Sequence, residues 1–126
     1  MMKLTRFVAT ADGGSRFEEI EIPLDVEREG AGGYTLMCSE AFTSDCVCFV
    51  SIPADLDQDW HQAPTRQLVQ LISGTVEVTT TDGEVRRWSS GDFFIAADVS
   101  GRGHKTRVID GPAVVIFIPL PDGFLD

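Results

Sequence analysis

The sequence predicts an all-β domain whose strands run antiparallel and close on themselves as a barrel or double sheet. Three observations carry this expectation. The dominant hydrophobic signal has period two, as strands with one buried face require. Glycine, proline and aspartate interrupt it at short intervals, where tight turns are expected. Helical periodicity is nowhere sustained beyond a single turn. So many short strands laid flat would leave long unpaired edges, and closure removes them.

In chain order, FEEIEIPL places Ile20, Ile22 and Leu24 on one face and Glu19 and Glu21 on the other, and Pro23 suits an edge or an exchanged segment. REGAGG, Arg28 to Gly33, reads as a flexible connection, followed by YTLMCSEAF and DCVCFVSIP as further strands. The acidic run ADLDQDW reads as a solvated loop leading to His61. RQLVQLI and TVEVTTT flank Ser73-Gly74, read as a tight turn, and Asp82-Gly83 turns the chain into EVRRW. Ser90-Gly91-Asp92 introduces FFIAADV, and GRGHKTRVI and PAVVIFIPL complete eight to ten short strands. The N-terminal strands are expected within residues 15–53 and the barrel motifs at about 59–119, all in one domain over 1–126.

Composition narrows the function classes. A net charge of −10 repels polyanions, so no nucleic acid is expected as a partner. The opening MMKLTRFVATADGGS lacks a sustained apolar block, and no window approaches the roughly twenty apolar residues of a membrane span, so no membrane partner is expected. Cys38, Cys46 and Cys48 are odd in number and form no C-x-x-C pair, which fits a reducing cytoplasm. Cys46 and Cys48 share a strand face and have the softness to bind a metal, but the ordinary reading is three small buried hydrophobes.

The stretch WHQAPTRQLVQLISG sets a histidine ahead of an alternating run, and GHKTRVI sets another ahead of a second one; the chain has two histidines in all. From Asp59 to Pro119 these segments resemble the cupin superfamily, small jelly-roll barrels also described as a double-stranded β-helix. His61 takes the first histidine slot of that family's first motif, Gln67 its acidic slot and Gly74 its glycine. Gly91-Asp92 opens the second motif and Gly101-x-x-His104 closes it. Ala63 stands where a second histidine is usual, Gln67 replaces glutamate, the second motif is about two residues long and its proline is missing. The texture resembles small bacterial single-domain cupins with a depleted metal motif.

Alternation along strands then aims His61, Ala63, Gln67, Val69 and Leu71 inward, joined by His104, Thr106 and Val108. The interior is apolar at depth and polar at one mouth, suited to one small-molecule ligand bound by His61, Gln67, His104 and Thr106. The resemblance implies one divalent ion (Zn, Fe, Ni or Mn) held by His61, Gln67 and His104. Without metal, the same histidines serve as general acid or base, or merely hydrogen-bond at the mouth. The expected function is small-molecule binding. The alternative is a small-metabolite enzyme of isomerase, cyclase, dehydratase or dioxygenase type using His61 and His104 with or without metal; a storage role ranks last.

Trp60 is expected to pack against a loop or another chain, and Arg66, Lys105, Arg102 and Arg107 to point outward, with a lesser role for Arg66 as a carboxylate clamp. The Arg86-Arg87 pair is a strand-end charge cluster. Leu68, Ile72, Phe94 and Ala96 are expected on the outer face, where apolar side chains need cover, and a homodimer supplies it.

Overall fold

The computed structural model describes residues 1–124. It is all-β, as expected, a barrel of jelly-roll type with nine strands among the described residues: β1 (Met2–Ala9), β2 (Ser15–Ile22), β3 (Val26–Glu29), β4 (Thr35–Cys38), β5 (Cys48–Ile52), β6 (Gln67–Thr79), β7 (Val85–Trp88), β8 (Phe93–Ala97) and β9 (Lys105–Pro119). The main sheet runs β2-β1-β8-β6-β9-β5, with β7 also on β6; β3 and β4 form a separate hairpin. Pairing is antiparallel except between β1 and β8, which run parallel over Arg6 to Val8. The opening segment, read in the sequence only for targeting signals, thus supplies a strand inside the sheet.

Two long strands replace four expected short ones. Ser73-Gly74 does not turn the chain: β6 continues through it, with register shifts against β9 between Leu71 and Val76. Gly74 has φ +82°, and a Cβ there would lie 2.7 Å from the Asp110 carbonyl oxygen and 2.8 Å from Ala113 Cα. Only glycine allows that approach, so the residue marks a bulge that bends the strand. GRGHKTRVI and PAVVIFIPL likewise join as β9, which pairs with β6 from Gln67↔Pro119 to Thr79↔Lys105. Bent together, β6 and β9 pass through both halves of the barrel. The turns at Asp82-Gly83 and Ser90-Gly91-Asp92 are present, closed by Gly83 N–H to Thr80 and Asp92 N–H to Ser89.

Alternation divides the apolar residues between two clusters. Phe7, Val69, Leu71, Val76, Trp88, Phe94 and Val115 fill the barrel; Leu4, Ile22, Ile95 and Phe124 pack on its outer side. Leu71 is wholly buried, and cutting such a side chain back to alanine typically costs about 2–5 kcal/mol. Phe94 and Ala96 face the interior, contrary to the outward placement expected of them. On β8 the outward residues are Phe93, Ile95 and Ala97, half a period away. Leu68 does face outward, yet Phe42, Leu120 and Phe124 of the same chain pack in its cluster. Ile72 remains exposed.

Further differences concern the middle of the chain. Arg28 and Glu29 belong to β3, and only Ala31–Gly33 forms a short 3-10 turn in the connection to β4. β2 is an edge strand, one of the two placements expected of FEEIEIPL, and pairs with β1. Cys46 and Cys48 are exposed rather than buried, because Cys46 precedes β5 and β5 is the other edge of the sheet.

Candidate functional site

His61 lies in the β5–β6 connection and His104 just ahead of β9, and the two meet backbone to backbone. His61 N–H donates to the His104 carbonyl at 3.0 Å and His104 N–H to the His61 carbonyl at 2.9 Å. Their rings are 4.4 Å apart at 53°. The preceding residue makes this possible. Gly103 has φ +76°, and a Cβ there would overlap the His61 carbonyl group.

Each imidazole is anchored through Nδ1. His61 Nδ1 lies 2.8 Å from the Asp59 backbone carbonyl, which can only accept, so Nδ1 carries the proton. His104 Nδ1 lies 2.5 Å from Asp98 Oδ2 inside the protein, and a carboxylate acceptor assigns the same tautomer. Nε2 of both rings is left with its lone pair and, among the described residues, without a protein partner.

Asp98 is the residue that sequence reasoning missed. It continues the inward alternation of Phe94 and Ala96, which puts a carboxylate on an apolar face; with those two expected outward, the parity gave no signal for it. Its side chain is wholly buried, with Oδ2 on His104 and Oδ1 without any hydrogen-bond partner. A buried, half-satisfied carboxylate is costly and concentrates its field on the one group it touches. Here that group is the His104 ring, which also meets Phe7 at 4.6 Å between centroids.

The histidines border a cavity of about 370 Å³ inside the barrel. Gln67 and Thr106 line it too, as do Ala63 and Val69, so the four ligand-binding candidates border one space. Leu71 and Val108 lie off it, packed in the core. Ser51 and Gln58 add polar groups not singled out from the sequence, and Phe7, Val76, Phe94, Val115 and Phe117 supply apolar wall. No lysine, arginine, aspartate or glutamate among the described residues lines the cavity.

The donors fit a metal incompletely. Two imidazoles leave Nε2 free, but Gln67 offers only a neutral amide, and buried Ala63 stands where the first motif's second histidine is usual. Among the described residues no group of three or more His, Cys, Asp or Glu side chains is placed to share an ion.

The outward charges have other occupations. Arg66 pairs with Asp122 at 3.3 Å, away from the cavity, and Trp60 carries Arg102 at 4.6 Å and Lys105 at 5.1 Å over its ring. Arg86 lies over Phe17 at 4.9 Å. Arg87 and Arg107 both donate to Glu77 at 2.7 Å, and these bonds, Arg107 first, hold that carboxyl below its ordinary range. Among the described residues no helix is long and apolar enough to cross a membrane.

No family model matches the chain, and no curated protein matches it. Solved structures similar to it include protein NMB1881 from Neisseria meningitidis, at 18% identity and TM-score 0.47 over 58% of this chain and 71% of that one. Another is the conserved SPY1581 protein of unknown function from Streptococcus pyogenes, at 18% identity and TM-score 0.47 over 61% of this chain and 65% of that one. A third is a DUF861 family protein from Thermotoga maritima, at 20% identity and TM-score 0.41 over 60% of this chain and 77% of that one. These likenesses assign no activity.

Proposed function

We propose that the chain is a small-molecule-binding barrel in which His61, Gln67, His104 and Thr106 meet the polar end of a ligand and the apolar wall holds its body. The observation that carries this reading is His104 at the wall of a largely apolar cavity, held from behind by the buried Asp98 carboxylate. A carboxylate is buried at high cost, and the arrangement it produces is an imidazole fixed in orientation and tautomer beside the cavity.

The same pair favours a catalytic form of the reading, an enzyme of isomerase type. A ligand proton accepted by His104 Nε2 would create an imidazolium whose charge Asp98 stabilises through Nδ1–H, and His61 Nε2 stands ready as a second acceptor on the same space. Return of the proton to another ligand atom completes an isomerisation without any added reactant. A divalent ion, if bound, would take the two Nε2 positions with Gln67 as a weak third donor and supply Lewis acidity; the chemistry argued here belongs to the side chains alone.

The test is a ligand titration of wild type beside His61→Ala and His104→Ala, read by thermal shift and by methyl NMR of Val69, Val76 and Val115. Small apolar molecules with one polar end are expected to raise the melting temperature and shift these cavity methyls, with weaker effects in both variants. Ligands that shift only surface residues would remove the reading.

A further inference from the structure

Resting on that binding reading, we infer that the cavity selects a neutral, hydrogen-bond-donating aromatic compound of the phenol type and disfavours carboxylates and phosphates. Size sets the first limit: about 370 Å³ lies near the small end of ligand pockets, enough for a substituted single ring.

Charge sets the second. The lining contains no cationic side chain, and the nearby cations are engaged elsewhere: Arg66 with Asp122, Arg107 with Glu77, Lys105 with Asp59 at 3.9 Å and Arg102 on Trp60. An anion entering would find no counter-ion and would approach the Asp98 carboxylate behind His104, in a region where charges are poorly screened. The net charge of −10 adds repulsion at longer range.

Hydrogen-bond polarity sets the third. With both Nδ1–H groups tied to acceptors, His61 and His104 each offer a lone pair at Nε2, so the ligand must bring the proton. A carboxylate or phosphate anion brings acceptors to a pair of acceptors. The wall favours a flat apolar body, since Phe7 meets Phe94 at 5.6 Å and His104 at 4.6 Å, leaving ring faces and edges for an inserted ring to pack on. A phenol joins these properties: an O–H donor, no charge at neutral pH and an aromatic ring.

The experiment titrates the full chain at neutral pH with phenol, toluene and benzoate, following the Val69, Val76 and Val115 methyls by NMR. Phenol is expected to bind about tenfold more tightly than toluene, the worth of one good hydrogen bond, with benzoate weakest. In Asp98→Asn and His61→Ala, two variants in case one fails to fold, the advantage of phenol over toluene should shrink. Benzoate binding as tightly as phenol, or phenol no tighter than toluene, overturns this inference while leaving a ligand-binding cavity in place. No cavity shift with any of the three overturns the inference together with the binding reading beneath it.

Discussion

His61 and His104, forty-three positions apart in the chain, exchange two backbone hydrogen bonds of 3.0 and 2.9 Å and hold their rings 4.4 Å apart. The site is therefore built on main chain first. The Asp59 backbone carbonyl and the Asp98 carboxylate then hold the two rings by Nδ1, and both histidines line the cavity.

Replacing Gly103 tests that foundation. Gly103→Ala puts a Cβ into the His61 carbonyl and a side chain at φ +76°, so the two backbone bonds cannot both survive. A loss of roughly 1–3 kcal/mol in chemical denaturation is expected. Gly83→Ala, where no atom lies within 4 Å of the added Cβ, provides the control for φ strain alone.

Glu77 makes a prediction in pH. Its carboxyl is held low by Arg107 and Arg87, so its stabilising effect is complete above the unfolded value of about 4.3 and is lost as pH falls through the lower folded value. Wild type should exceed Glu77→Gln by about 1 kcal/mol at pH 7, a modest figure because both guanidiniums are half exposed. The gap should close in acid. Denaturation curves at pH 7 and pH 3 check it, and a gap that widens in acid contradicts it.

Much of this was legible in the sequence, and the failures have causes. Alternation identified the inward face of β6 because its residues are strongly segregated, Val69 and Leu71 inside and Leu68 outside. On β8 alternation alone misled, since Phe93 to Ala97 are apolar on both faces and nothing local marks which of the two is inward. Asp98 was overlooked because a carboxylate at a strand end ordinarily reads as solvated. Ser73-Gly74 looked like a turn because bulges and turns use the same residues, and GRGHKTRVI and PAVVIFIPL looked like separate strands; long-range pairing of β6 with β9, invisible locally, makes each strand continuous. The Asp82-Gly83 and Ser90-Gly91-Asp92 turns were readable because their hydrogen bonds are local.

A homodimer is the expected cover for apolar surface that the fold leaves bare. Of the four residues expected to need that cover, Leu68, Phe94 and Ala96 are buried or covered by their own chain, and Ile72 is exposed. Tyr34 and Phe49, 73% and 72% exposed, and Leu36 and Met37 on the separate hairpin join Ile72 as bare apolar surface. Light scattering at micromolar concentration should give twice the mass of 13.8 kDa; a clean monomer ends the idea.

Metal content offers a separate check. With two strong donors, protein purified without a histidine tag should carry well below one ion per chain, and His61→Ala should not change that. One ion per chain in wild type, lost in His61→Ala, would return the metal to the centre of the site.

The central claim is that both imidazoles point a bare Nε2 at the cavity, and long-range proton–nitrogen NMR of the two histidines tests it most directly. At a pH where both rings are neutral, each should be protonated at Nδ1 and unprotonated at Nε2, with Asp98→Leu releasing only His104 from that state. A proton on Nε2 of either ring in the wild-type chain would contradict the account.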